Sequence, residues 1–194
     1  MGIRIGADYL SGLQDDRDVW IDGKRVADVT QHPGMCRGAK TLAGFIDRQH
    51  QPEYQEKVTY VDDDGDRVAM SFLIPKSKED IVKRGVAFYE WASWSNGMFG
   101  RTADYKNSSL MAFAAANRFL GEGQTDFAQN MMNYYDYVRK NDKVLTHTLV
   151  NPQISWELAK EGKYSTKVAL QIVKETDGGI VVSGARLLAT LGPQ

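Results

Sequence analysis

Apolar residues recur every three or four positions through most of the first 145 residues, and this spacing predicts a mainly helical region. Helices are predicted over residues 6–13, 34–49, 103–120 and 126–141. Gly121-Glu122-Gly123 interrupts the pattern between the last two of them.

A further helix is predicted to begin after Ser77 and to end near Trp94. Ser77 and Asp80 form the Ser-x-x-Asp pattern of a capping box, in which each side chain accepts a hydrogen bond from the other residue's backbone N–H. Ser95-Asn96-Gly97 then ends the helix. Its predicted core-facing stripe consists of Ile81, Val82, Phe88, Tyr89 and Ala92.

Three turn sequences predict β-hairpins. Asp22-Gly23 can adopt positive φ at both positions, as a two-residue hairpin turn requires. The acidic run at 62–66 has too few correctly placed ligands for a calcium loop, so we interpret it as a solvated turn. Asp177-Gly178-Gly179 makes the third turn. The predicted strand pairs are 19–21 with 24–26, 58–61 with 67–74, and 166–176 with 179–191.

The composition excludes several classes of function. Of the 194 residues, 24 are Lys or Arg and 25 are Asp or Glu, so the chain lacks the positive charge of a nucleic-acid-binding protein. The longest apolar run, 110–116, is far shorter than a membrane span and no secretory leader is visible, so we expect no membrane partner. The single cysteine, Cys36, excludes an intramolecular disulfide and is typical of a reduced, cytoplasmic protein. The three histidines lie far apart, and no metal site is predicted.

Two segments contain side chains suited to binding a ligand. In the first, Arg101 and Tyr105 are four residues apart, so a helix that begins by Arg101 would place both on one face. A guanidinium and a phenol together can hydrogen-bond an anionic or phenolic oxygen. The alternative, an exposed arginine near a half-buried tyrosine, is favoured by the pattern alone.

The second segment covers residues 145–153. His147 lies there among neutral hydrogen-bonding side chains, those of Thr146, Thr148, Asn151 and Gln153. This composition is typical of a loop that contacts a ligand, and the unperturbed pKa of a histidine lies near neutrality. The alternative is a histidine whose hydrogen bonds serve the fold.

Four stretches of the sequence carry a family resemblance. They are residues 9–33, the GRTADYKN of 100–107, the HTLVNPQ of 147–153 and the KETDGGIVVSGARLLAT of 174–190. In this order they resemble the family of two-component, flavin-dependent phenol ortho-hydroxylases, which includes the oxygenase component of 4-hydroxyphenylacetate 3-monooxygenase. The chain departs from the family pattern at Ala103, where Pro is usual, and in a longer stretch around 120–124.

The resemblance implies an activity and the residues that serve it. In this family a separate flavin reductase supplies reduced FAD, O2 adds at the flavin C4a, and the hydroperoxide transfers one oxygen to the carbon beside the phenol hydroxyl, giving a catechol. The resemblance implies that Arg101, Tyr105 and His147 bind the phenolic substrate, expected to be 4-hydroxyphenylacetate. It implies flavin contacts from His147, Thr148, Val150, Gln153 and Thr190.

The resemblance also implies an architecture, an α+β fold of the acyl-CoA dehydrogenase type. Residues 1–145 would form a mainly helical N-terminal domain with two hairpins, and residues 146–194 the start of a β-barrel middle domain. The family's C-terminal helical bundle would be absent, which would make the chain an N-terminal fragment. The full-length form is expected to be a homotetramer.

Two alternatives remain open. One is a non-catalytic fragment or an interaction module of the same fold. The other is a lyase like 4-hydroxybutyryl-CoA dehydratase, a member of the same fold family that uses FAD and an iron–sulfur cluster. That reaction needs cysteine ligands near the GRTADY position, and the chain's one cysteine, Cys36, is remote from it.

Overall fold

The computed structural model describes residues 2–98, 102–121, 127–153, 160 and 168–194. The chain divides into two compact units, Met1–Leu145 with Pro193–Gln194, and Thr146–Gly192. The elements of the first unit are α1 Gly6–Ser11, β1 Val19–Ile21, β2 Lys24–Val26, α2 Cys36–Arg48, α3 Pro52–Val58, β3 Thr59–Val61, β4 Arg67–Ala69, α4 Lys78–Trp94, α5 Ala103–Ala115 and α6 Phe127–Lys140. The strands of the second unit are β5 Gln171–Thr176 and β6 Gly179–Ser183.

The first hairpin forms as predicted. β1 and β2 pair antiparallel, with Val19 opposite Val26. Asp22 and Gly23 between them have φ values of 49° and 73°. Positive φ at both central positions gives a turn whose twist matches that of the paired strands.

The second hairpin is shorter than predicted, and a helix that the pattern did not indicate precedes it. β3 pairs antiparallel with β4, and the chain then enters a short 3₁₀ turn, Met70–Phe72, instead of continuing as a strand to residue 74. The preceding α3 begins with Pro52, a favoured residue in a first helical turn because its missing N–H needs no partner there. With seven residues, α3 is too short to give a clear apolar periodicity.

Two clusters of buried hydrophobic residues lie in the described part of the first unit, and the 3₁₀ turn contributes to both. Phe72 packs with residues of α5 and α6, whereas Met70 packs with residues of α2, α3 and α4. The phenol of Tyr135 in α6 donates a 2.6 Å hydrogen bond to the backbone oxygen of Phe72. The turn therefore packs against α4 and α5, the two helices that border the candidate site.

The start of α4 is confirmed, but its predicted buried face is wrong. Ser77 and Asp80 form the capping box from both sides. Ile81, Val82 and Tyr89 are exposed, and the buried residues of the helix are instead Arg84, Ala87 and Trp91. The helix has this rotation because Trp91 packs edge-on against Phe45 while Arg84 reaches buried carbonyl oxygens, and no local pattern encodes either contact.

The second unit contains one antiparallel hairpin, β5 with β6, among the residues that the structure describes. Both strands are shorter than the predicted 166–176 and 179–191, and residues 166 and 167 lie outside the described residues. An irregularity between Ile172 and Lys174 shifts the register. Every residue of the two strands is exposed within the unit.

None of the helices in the described ranges is long and apolar enough to cross a lipid bilayer.

Candidate functional site

A cavity of about 580 Å³ lies between the end of α4 and the start of α5. Its volume is within the range of small-molecule sites, roughly 300–1,000 Å³. The chain reverses at its edge through Asn96 and Gly97, whose φ values are 50° and 71°, and Gly97 N–H donates to the carbonyl of Ala92 over 2.9 Å. This left-handed turn follows the last residue of α4, Trp94, within the Ser95-Asn96-Gly97 sequence that was predicted to end the helix.

One face of α5 lines the cavity. Tyr105, Ser108 and Ser109 are three and four residues apart, so successive turns of the helix present them to the same side. Tyr105 is the tyrosine predicted to bind a phenol, and about half of it is exposed. Its predicted partner Arg101 lies outside the described residues, and so do residues 122–124 of the stretch around 120–124 that was expected to be longer than in the family.

Asp104 is a cavity residue for which the sequence predicted no role. Burial raises the pKa of its carboxyl, and hydrogen bonds from the Thr102 hydroxyl and from the first backbone N–H groups of α5 act in the opposite direction. The positive charge of Arg84 also opposes the rise. An aspartate in a first helical turn is an ordinary capping signal, so the sequence did not distinguish this one as a cavity residue.

Arg84 is the second residue that the sequence did not indicate. It lies in the middle of α4, is 7 % exposed, and extends behind the cavity wall. Its Nη1 donates to the backbone oxygens of Ser71 (2.7 Å) and Leu73 (2.9 Å), and its Nη2 donates to Ser108 Oγ (3.1 Å). An arginine within an otherwise apolar helical stripe was the only available signal.

The predicted flavin contacts belong to the second unit, where two backbone segments run side by side. Leu149 N–H donates to the carbonyl of Leu187 over 2.9 Å, and the hydroxyl of Thr146 donates to the carbonyl of Thr190 over 2.6 Å. The structure therefore brings Thr190 next to the segment that contains His147. The other predicted contacts on this segment and just after it are Thr148, Val150 and Gln153.

Exposure differs among these residues. His147 and Val150 are half-buried, whereas Thr148, Gln153 and Thr190 are exposed within the unit. Arg186, which the sequence did not indicate, donates to the backbone oxygen of Thr148 over 3.2 Å and so holds the segment in place. Tyr105 belongs to the first unit and His147 to the second.

The described residues contain no group of three or more His, Cys, Asp or Glu side chains that could hold a metal ion. The acidic turn at 62–66 is a hairpin turn, with one correction to its predicted exposure. The side chain of Asp62 is buried and forms an ion pair with Arg139 of α6, whereas residues 63–65 are exposed.

Comparison with known proteins gives concordant matches over nearly the whole chain. Residues 5–194 match the family model described as 4-hydroxyphenylacetate 3-hydroxylase N terminal. The chain is 43% identical over 188 residues to the 4-hydroxyphenylacetate 3-monooxygenase oxygenase component of Thermus thermophilus, covering 96% of this chain and 38% of that protein. It is 39% identical over 194 residues to the corresponding component of a Geobacillus species, covering 99% and 39%.

Solved structures agree. The HpaB oxygenase component complexed with FAD and 4-hydroxyphenylacetate superposes with a TM-score of 0.85 at 42% identity, over 96% of this chain and 38% of that one. An archaeal 4-hydroxybutyryl-CoA dehydratase from N. maritimus has a TM-score of 0.75 at 20% identity, over 95% and 37%, a likeness of fold alone. The chain spans about two fifths of the length of these relatives. It belongs to the 4-hydroxyphenylacetate 3-hydroxylase family and corresponds to the family's N-terminal part.

Proposed function

We propose that this chain supplies the substrate-binding side of the oxygenase component of a two-component, FADH2-dependent monooxygenase. One observation carries the proposal: Tyr105, the tyrosine of the GRTADY motif, lines a cavity of about 580 Å³. A cavity of this size accommodates an aromatic ring with a short side chain. The proposed substrate is 4-hydroxyphenylacetate, the compound held by a similar HpaB structure.

The proposed reaction adds a hydroxyl group to the ring carbon beside the phenol oxygen. The ring carbon loses its hydrogen and gains one oxygen atom of O2, and the second oxygen atom leaves as water. Reduced FAD, when bound, supplies the two electrons and activates the O2. The products are a catechol, water and oxidised FAD.

Three residues have proposed roles toward the phenol. Arg101 and His147 favour the phenolate by donating hydrogen bonds to its oxygen, and Tyr105 orients the ring through its own hydroxyl. A phenolate is richer in electrons at the ortho carbon than a phenol is, so stabilising the anion promotes attack on the electrophilic oxygen. These roles follow the positions of the family motif, and each is open to test by substitution.

Five residues of the second unit are proposed to contact FAD. Thr148, Gln153 and Thr190 are exposed within their unit, and their hydroxyl and amide groups suit the nitrogen and oxygen atoms of an isoalloxazine ring. The half-buried Val150 and His147 complete the set. Side chains that are mainly neutral and form hydrogen bonds suit this ring.

We also propose the partners and the wider architecture that the family implies. A separate flavin reductase delivers the reduced FAD, and the complete oxygenase is a cytoplasmic homotetramer. Residues 1–145 form the helical N-terminal domain, and residues 146–194 begin a β-barrel middle domain of an acyl-CoA dehydrogenase-like fold. A C-terminal helical bundle would belong to residues outside these 194.

The proposal is tested by supplying the cofactor directly. The 194-residue chain, and beside it the longer polypeptide if the gene continues, is mixed anaerobically with chemically reduced FAD. Oxygen and 4-hydroxyphenylacetate are then added, and the catechol is quantified by chromatography, with 4-methoxyphenylacetate, which has no free phenol hydroxyl, as the control substrate. We expect the catechol only from the phenol.

The outcomes distinguish the alternatives. Catechol formation by the longer polypeptide alone would make the present chain a non-catalytic piece of the enzyme. Failure of both polypeptides to bind reduced FAD and to form the catechol would refute the hydroxylase assignment.

A further inference from the structure

Arg84 carries a buried positive charge, and no acidic side chain among the described residues neutralises it at close range. Within the described residues, no carboxylate oxygen lies within 4.0 Å of its guanidinium. The charge is instead solvated by backbone carbonyl oxygens and by the ring of Phe88, whose centre is 5.2 Å away. Burial lowers the pKa of Arg84, and Tyr135, Tyr60 and Asp104 oppose that change electrostatically.

The carbonyl oxygens bind only Nη1 of the guanidinium, so Nη2 can act toward the cavity. Nη1 is occupied by the oxygens of Ser71 and Leu73, with that of Met70 farther away at 3.3 Å. Nη2 points toward α5 and donates to Ser108 Oγ. Ser108 and Phe88 both line the cavity, so the guanidinium lies directly behind its wall.

The hydrogen bond from Arg84 determines what the Ser108 hydroxyl can do. Because Oγ accepts from Nη2, its own hydrogen remains available, and no residue that the structure describes accepts it. The neighbouring Ser109 differs, since its hydroxyl donates to the backbone oxygen of Tyr105 over 3.2 Å. Ser108 is three residues after Tyr105 on the same helical face.

We propose that Ser108 donates a hydrogen bond to the anionic oxygen of a phenolate bound in this cavity, and that Arg84 is the residue that positions and polarises Ser108. A hydroxyl that accepts from a cation is a stronger donor, because hydrogen bonds in a chain polarise one another. This inference rests on the proposed function and deepens it by assigning a further residue that selects the phenolate form of the bound phenol.

The test uses 4-nitrophenol, because its phenol and phenolate forms absorb at different wavelengths. The 194-residue chain is titrated with 4-nitrophenol at several pH values, and the pKa of the bound probe is compared with that of the free probe. We expect a bound pKa lower by about one unit, a tenfold preference for the phenolate. Competition with phenylacetate, which has a carboxylate and no phenol hydroxyl, tests whether a carboxylate takes the same position instead.

Four variants separate positioning from folding. Ser108→Ala removes the hydroxyl with little change in volume and should lose the preference for phenolate by about tenfold. Ser108→Thr keeps the hydroxyl and should retain the preference. Arg84→Lys keeps the charge but not the planar fork, and should give an intermediate value. Ser93→Ala, which removes an exposed serine hydroxyl bonded to the Tyr89 carbonyl of its own helix, is the matched control and should change nothing.

Equal bound pKa values for Ser108→Ala and Ser108→Thr would overturn the inference while leaving phenol binding intact. Displacement of the probe by phenylacetate with the same dependence on Ser108 would overturn the assignment to a phenolate. An original chain that binds no 4-nitrophenol at any pH would overturn both this inference and the proposed function.

Discussion

The side-chain amide of Gln49 donates a 3.0 Å hydrogen bond to the carboxylate of Asp142, which lies 93 positions later in the chain. The same carboxylate oxygen accepts from the backbone N–H of Arg4 over 3.2 Å. Both Gln49 and Asp142 are buried. One aspartate therefore joins the N-terminal segment, the end of α2 and the segment after α6.

We predict that Asp142 makes stability fall as pH rises. Burial raises the pKa of its carboxyl, while hydrogen bonds from Gln49 and Arg4 and the charges of Arg4 and His50 oppose the rise. The folded chain thus holds this proton more tightly than the unfolded chain does. The resulting stabilisation is complete below about pH 4 and is lost as pH rises through the folded pKa.

The stability of the Asp142→Asn variant relative to the original chain should therefore increase as pH rises from 4 to 7, as measured by urea unfolding. Asp28→Asn is the control with the opposite sign. Hydrogen bonds from Thr30 lower the pKa of Asp28, so its stabilisation is lost only as pH falls below about 4. A constant difference between Asp142→Asn and the original chain across this range would refute the prediction.

Breaking the ion pair between Arg139 and Asp62 should lower the free energy of unfolding much more than breaking the neighbouring pair between Lys140 and Asp64. Their side chains are 10% and 4% exposed, and replacing Arg139 by Met would leave a buried carboxylate without its cation. We expect a loss of about 3–5 kcal/mol in the free energy of unfolding. Lys140→Met, which breaks an exposed pair with Asp64, should leave the urea midpoint nearly unchanged. Similar midpoints for the two variants would contradict this.

Phe72 should be among the most costly apolar side chains to truncate. It is fully buried, and its ring packs edge-on against Tyr135 with centres 6.2 Å apart. Phe72→Ala should lose about 3–5 kcal/mol of unfolding free energy, because a cavity replaces the ring. Phe113→Ala, at an exposed phenylalanine of α5, should change it by less than about 0.5 kcal/mol. Calorimetry or urea unfolding measures both variants. Equal losses for Phe72→Ala and Phe113→Ala would contradict the prediction.

Tyr105→Phe should weaken phenol binding without altering the fold. Loss of one hydrogen bond to the ligand should raise the Kd for 4-nitrophenol about five- to tenfold at a pH where the probe is bound. Tyr89→Phe is the matched control, since Tyr89 is exposed on α4 and does not line the cavity. A Kd unchanged by Tyr105→Phe would remove this tyrosine from the proposed site.

Local features were predictable because neighbouring residues determine them. Asp22-Gly23 and the Ser77–Asp80 capping box require only a few adjacent positions, and both form as predicted. The substrate-binding assignment of Tyr105 came from its position in a family motif, and the structure adds the cavity that Tyr105 lines. That Tyr105 binds the substrate remains a prediction.

The orientation of α4 was not predictable because distant residues determine it. Ile81 and Val82 gave a convincing apolar stripe, yet the buried side of the helix is the one that carries Arg84 and Trp91. The partners of Arg84 are backbone oxygens of the 3₁₀ turn and the residue after it, and backbone oxygens leave no trace in a residue pattern. Asp104 and Ser108 were overlooked for the same reason, since only the packing of α5 beside α4 makes them cavity residues.

The hydrogen bonds of Arg84 also limit how this protein can evolve. The same guanidinium holds the turn after β4 and reaches Ser108 at the cavity wall. A substitution at position 84 would therefore leave buried carbonyl oxygens unpaired as well as changing ligand preference. Positions 104 and 108 border the same cavity, but their side chains do not pair with these carbonyl oxygens. A lineage adapting to a ligand of different charge would therefore be expected to vary at 104 and 108 and to keep arginine at 84.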